Sequence, residues 1–178
     1  MLTHIDHVGI ACRDLEEKIE FYCGTFGLTV AAREVHEEQG VREAMLLVAT
    51  AEPDPGGAPD LRAAAAAAGT PGTDLRAAAG GAATGVLPVT ASYIQLLEPL
   101  GPDTPVGKYL ARRGEGLHHI GYGVTDVRAA LAAIGANGIR LIDERPRHGS
   151  MGASIAFLHP GDLGGVLTEL VEHPEPGA

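Results

Sequence analysis

The strongest constraint on this chain is that it repeats itself. Ile5-Asp6-His7-Val8-Gly9-Ile10 returns as Leu117-His118-His119-Ile120-Gly121-Tyr122, and Asp14-Leu15 returns as Asp126-Val127, both at an offset of 112 residues. A second pair sets Ser92-Tyr93-Ile94-Gln95-Leu96-Leu97-Glu98 against the run from Gly165 to Glu172. Internal self-similarity fixes an architecture before any local signal does. The matched polar positions are His7 with His119 and Gln95 with Glu169, each in an apolar, strand-like run. Two imidazoles, an amide and a carboxylate form a mixed N/O donor set suited to a divalent cation with open positions.

The repeat also accounts for the length. His7 to Gln95 spans 88 positions and His119 to Glu169 spans 50, an excess of 38 in the first copy. The excess matches residues 51–88, a stretch of Ala, Gly and Pro with almost no large apolar side chain. It contains the near-copies Asp60-Leu61-Arg62-Ala63 and Asp74-Leu75-Arg76-Ala77, where each Asp reads as an N-cap, with Gly69 and Gly80 as stops. Helices this short gain little without packing. The expectation is a surface excursion that carries no ligand or catalytic residue.

Periodicity gives the same element order in both copies. In the first, His4–Cys12 alternates as a strand, Asp14 caps a helix over 15–22 ended by Gly24 and Gly27, and strands follow at 28–35, 41–48 and 92–98. In the second, strand 117–124 precedes a helix over 127–136 capped by Asp126, then strands at 139–144, 153–158 and 166–172. The predicted class is α+β: two paired βαβββ modules forming a cupped mixed sheet around a metal site. Residues 1–98 make the first module, 99–116 a linker with a short helix near 108–111, 117–173 the second module, and 174–178 a tail. Strand alternation puts Ile5, His7 and Gly9 on one face, and Leu117, His119 and Gly121 on one face. The small Gly9 and Gly121 leave room beside each imidazole. Alternation turns His118 to the opposite face, as a packing residue.

A net charge of −10 and a pI near 5.1 argue against a nucleic-acid partner. No apolar run reaches the roughly 18 residues of a membrane span. The start of the chain has neither a basic nor an apolar leader region. Cys12 and Cys23 imply no disulfide framework. These features predict a soluble cytoplasmic protein with reduced thiols.

The segments Ile5–Ala11, Glu37–Met45, Tyr93–Pro99, Gly114–Ile120, Asp143–Arg147 and Phe157–Leu170 carry a resemblance. The chain resembles the vicinal oxygen chelate superfamily (glyoxalases, bleomycin-resistance proteins, dioxygenases) and, within it, the methylmalonyl-CoA epimerases. That resemblance implies an isomerase, epimerising (2R)- and (2S)-methylmalonyl-CoA by 1,1-proton transfer through a metal-stabilised enolate. It implies His7, Gln95, His119 and Glu169 as ligands of a divalent ion, Co²⁺ first, with Mn²⁺, Ni²⁺ and Zn²⁺ as alternatives. It assigns the base to Glu43, which stands in phase with Val41 and Met45. For the opposite face of the carbon, Glu169, a bound water and His118 are open. Glu169 is taken with Glu43 as the catalytic pair, and strand phase disfavours His118. Arg145, Arg147 and Ser150 are the expected substrate contacts to an acyl-CoA. Relatives commonly carry a lysine after the proline where this chain reads His159-Pro160-Gly161-Asp162, so Arg145 or Arg147 is expected to supply the phosphate contact. A homodimer is expected. Two alternatives share the scaffold: a glyoxalase I-like lyase or isomerase, and a non-catalytic ligand-sequestering resistance protein. An Fe(II) oxygenase needs two His, one carboxylate and three open sites, and Gln95 as a fourth ligand argues against it.

Overall fold

The computed structural model of the protein describes residues 1–48 and 92–174. The expected insertion at 51–88 and most of the tail therefore lie outside the described residues. Within them are eight strands: β1 (Leu2–Ala11), β2 (Thr29–His36), β3 (Val41–Val48), β4 (Ser92–Pro99), β5 (Gly116–Val124), β6 (Arg147–His148), β7 (Ser154–Leu158) and β8 (Thr168–Glu172). Three α-helices accompany them: α1 (Leu15–Phe26), α2 (Pro105–Arg113) and α3 (Val127–Ala136). All the strands join one curled mixed sheet, in the order β2-β3-β4-β1-β5-β8-β7-β6.

The helix boundaries follow from local chemistry. Asp14 accepts the Glu17 N–H at 3.0 Å and Asp126 accepts the Ala129 N–H at 2.9 Å. Each cap satisfies a donor that the first turn would otherwise leave unpaired, worth about 1 kcal/mol. Helix α1 runs through Gly24 and stops at Gly27, whose left-handed φ of 69° lets its N–H return to the Cys23 carbonyl. The linker helix is longer than expected. Thr104 caps it and Pro105 opens it. Its Val106 and Leu110 pack with Ala11, Val41 and Leu97.

The repeat appears as matched pairing. β1 runs parallel to β4 with Gly9 opposite Gln95, and β5 runs parallel to β8 with Gly121 opposite Glu169. The modules meet within the chain, where β1 and β5 pair antiparallel at the centre of the sheet. Each module has its own core between helix and sheet. Leu15 and Ile19 pack with Cys12, Ala44, Leu46 and Leu96, while Val127, Leu131 and Ile134 pack with Val124, Leu158 and Leu170.

The second module departs from the expected strand at 139–144. Only Leu141 makes an isolated bridge, to Leu158, and the strand proper is the two-residue β6 at 147–148. Asp143 explains the break. The Ile142 and Asp143 N–H groups both donate to the Phe157 carbonyl, and the Asp143 carboxylate accepts the Phe157 N–H at 2.8 Å. A side chain thus replaces the ladder, and Pro146 has no N–H to resume it before Arg147. No helix among the described residues is long and apolar enough to cross a membrane. Cys12 is buried, Cys23 half-buried, and both are free thiols.

Candidate active site

The four repeat-matched residues are buried together. His7, Gln95, His119 and Glu169 are all 5 % exposed or less, and they come from β1, β4, β5 and β8. The pairing of β1 with β5 sets Gly9 opposite His119 and His7 close to Gly121. A Cβ on Gly9 would collide with the His119 ring, and one on Gly121 with the His7 ring. Each module therefore supplies an imidazole and the gap that receives its partner's imidazole.

The donor atoms fit a cation. Nε2 of His7 and Nε2 of His119 lie 2.9 Å apart, and they stand 2.9 and 3.0 Å from one Glu169 oxygen. Ligands at about 2.1 Å on perpendicular axes would be spaced at about 3.0 Å. The Glu169 Oε2 and the Gln95 Oε1 are buried without a hydrogen-bond partner. Unsatisfied buried oxygens of this kind call for an unseen partner, and the two imidazole nitrogens and the Glu169 oxygen, all within 4.8 Å of one another, are the donor types a divalent ion takes. The residues present therefore fit the implied metal.

Sequence alternation fails at one informative point. Gly9 pairs with His119 but Ile10 pairs with Leu117, so His118 is the extra residue of a β-bulge. His118 consequently does not turn away from the site. It lines the cavity, its Nδ1 lies 2.9 Å from the His119 Nδ1, and its ring packs edge-on against Tyr109. The expectation that His118 serves only as packing on the other face is corrected on that ground. The repeat-equivalent residue, Asp6, is likewise a bulge residue between Ile5 and His7. Asp6 takes the His7 Nδ1 at 2.9 Å and the His173 Nε2 at 2.7 Å. In both modules the bulge residue occupies Nδ1 and leaves Nε2 facing the centre, as outer partners of metal-binding imidazoles do.

The two outer partners differ in charge. Burial opposes protonation of His7, but the Glu169 charge and the bond to Asp6 outweigh it and raise its pKa. His119 is shifted down, chiefly by burial. His118 is pushed down to about 4 by burial and by the neighbouring His119. Burial also raises the Glu169 pKa, yet the His7 charge and the His119 imidazole beside it hold it at about 2. That low proton affinity suits a ligand better than a proton donor.

Glu43 lies on β3, 3 % exposed, as its phase implied. Gln95 touches it: the amide Nε2 donates to the Glu43 Oε2 at 2.9 Å and also lies 2.9 Å from the Ser150 hydroxyl. The Ser150 hydroxyl donates to the Glu43 Oε1. Glu43, Gln95, His119 and Glu169 border a cavity of about 330 Å³. Of the expected substrate contacts, Ser150 and Arg147 line this cavity, and Arg147 stacks over Phe157 and pairs with Asp143 at 3.2 Å. Arg145 is exposed and outside the lining.

Sequence reasoning missed Glu34 and His36. Glu34 sits directly across from Glu43 on the paired strands, and the His36 Nε2 lies 3.3 Å from Glu34 and 3.2 Å from Glu43. The signal was present: a four-residue turn over 37–40 sets His36 opposite Val41 and so Glu34 opposite Glu43. These three side chains could in principle hold a cation. Their oxygens, however, are already engaged by the His36 and Ser150 donors and the Met151 N–H.

The chain belongs to the Glyoxalase/Bleomycin resistance protein/Dioxygenase superfamily, whose model matches residues 4–170. Within that class it groups with the methylmalonyl-CoA epimerases. It is 36 % identical to the ethylmalonyl-CoA/methylmalonyl-CoA epimerase of Cereibacter sphaeroides, covering 96 % of this chain and 98 % of that one. A methylmalonyl-CoA epimerase solved with methylmalonyl-CoA and NH4+ superposes with a TM-score of 0.75 at 44 % identity, covering 99 % and 98 % of the two chains. A Streptomyces coelicolor methylmalonyl-CoA epimerase variant, solved with 2-nitronate-propionyl-CoA, gives a TM-score of 0.73 at 45 % identity over 97 % and 98 %.

Proposed function

We propose that this chain is a methylmalonyl-CoA epimerase, an isomerase that inverts C2 of its substrate by a 1,1-proton shift. Gln95 carries the reading. One end of its amide holds Glu43, and the other presents a buried, unpartnered oxygen. A proton acceptor and a cation donor set are thereby fixed to one side chain at one cavity. A divalent ion held by His7, Gln95, His119 and Glu169, with Co²⁺ the first candidate, would supply Lewis-acid stabilisation of the negative charge that develops on the substrate.

The chain's own residues supply the rest. The substrate C2 proton lies between a thioester and a carboxylate, so its removal leaves an enolate. Glu43 takes that proton as a carboxylate, and a water molecule on the opposite face of C2 delivers the proton that completes the inversion. Glu169 is assigned to ligation, in keeping with its low proton affinity. Ser150 holds the base, and Arg147 is the guanidinium at the cavity for an anionic acyl-CoA. The proposal includes a homodimer in the cytoplasm. Leu2, Ile5 and Leu117, each about half exposed on the central strands, support a further contact surface.

Incubation of the Co²⁺-loaded protein with methylmalonyl-CoA in deuterated water should exchange the C2 proton. Glu43→Gln should keep metal content and fold and slow that exchange by about 10² or more. No exchange by the wild type would overturn the epimerase reading. Wild-type exchange by the variant would remove Glu43 from it.

A further inference from the structure

Glu34 and Glu43 face one another across the β2–β3 hairpin. Like charges directly opposite on a sheet repel, yet Glu43 is buried there. The His36 imidazole lies between them, with its Nε2 within 3.3 Å of both carboxylates. Its pKa is raised, first by the bond to Glu43, with burial opposing. The other Glu34 oxygen accepts the Met151 N–H at 2.8 Å. Met151, at φ 56° and ψ 31°, is the one non-glycine residue with positive φ among the described residues. A residue holds that conformation only where its surroundings impose it. Beside it, the Ser150 hydroxyl closes the circuit onto Glu43. Glu43, His36, Glu34, Met151 and Ser150 thus form a closed ring of contacts that ties the first module's carboxylate to a turn of the second.

We propose that His36 and Glu34 are positioning residues for Glu43. His36 fixes the carboxylate rotamer, and Glu34 holds the Ser150–Met151 turn so that the hydroxyl reaches the same oxygen. This rests on Glu43 being the proton acceptor. Neither positioning residue touches the cation donor set. Both are partly exposed, so their substitution leaves the core intact.

The test measures C2 proton exchange, metal content and melting temperature in His36→Ala, His36→Gln, Glu34→Gln, Glu43→Gln and the double variant His36→Ala/Glu43→Gln. A misplaced base loses rate rather than affinity. His36→Ala should lower kcat by about 10- to 100-fold, with KM within about twofold and metal content unchanged. His36→Gln, which restores a side-chain N–H, should recover to within about threefold of wild type, about 0.7 kcal/mol on the barrier. Glu34→Gln should lower kcat by less than His36→Ala. In the double variant, loss of His36 should add nothing to Glu43→Gln. Wild-type kcat in His36→Ala, or multiplicative losses in the double variant, would overturn the positioning role while leaving the base assignment standing. Wild-type exchange in Glu43→Gln would overturn both.

Discussion

In the first module Glu43 stands across from Leu97, two residues from the pairing of Met45 with the repeat-matched Gln95. In the second module the same register sets Phe157 across from the repeat-matched Glu169 and Ile155 across from Val171. Ile155 is therefore the counterpart of Glu43, an aliphatic side chain where the first module has a carboxylate. The outer partners differ in the same way, Asp6 in one module and His118 in the other. Backbone pairing and the inward-facing imidazoles are kept in both copies. The buried carboxylate beside the amide, and the anionic outer partner, occur in the first module alone among the described residues. A two-fold repeat can thus build a symmetric cradle for a cation and still present unlike faces to a substrate.

The largest effect should come from breaking what the modules share. His7→Ala and His119→Ala should each weaken Co²⁺ binding by more than about 100-fold, above the range typical of outer partners. Titration with the ion should show matched losses. Full occupancy in either variant would mean that the repeat does not build the cation site.

A smaller effect should come from what they do not share. Asp6→Asn removes an anion that is bonded to His7 and His173, and should weaken Co²⁺ binding by about 10- to 100-fold. His118→Gln replaces a neutral neighbour and should cost less. The reverse order would contradict the charge asymmetry read from the two bulges.

The smallest effect concerns a pair with no described counterpart in the first module. Arg140 clasps Asp162 at 2.8 Å and holds its carboxyl at about 2, against an ordinary 3.8. A carboxyl that is more acidic in the folded chain contributes stability above its unfolded pKa, and loses it as pH falls through the folded value. Asp162→Asn should lower the melting temperature slightly at pH 7, and the two proteins should converge near pH 2. The pair is exposed, so a difference of many degrees would point to a different cause.

The repeat made both modules, the helix caps and the four buried donors legible, because each rests on spacing or on a local hydrogen bond. The bulges were not legible. An extra residue shifts the period-2 phase of a strand, and alternation read without that shift turns His118 to the wrong face. The strand expected at 139–144 failed for a related reason, since Asp143 uses its side chain where a ladder would use backbone. Glu34 and His36 were overlooked because their importance lies across a hairpin, in a register set by the turn rather than by either strand alone.

Reciprocal glycine gaps carry a thermodynamic consequence. Because His7 packs over Gly121 and His119 over Gly9, the donor atoms converge only after β1 and β5 have paired. An ion that binds only the converged state acts as a reporter and a reinforcement of that seam. At a free concentration 100 times its Kd it would add about 2.7 kcal/mol to the docked state. Chelation should then speed amide exchange along β1 and β5 before it touches the two helix–sheet cores. In this chain the metal would serve assembly as much as it serves the reaction.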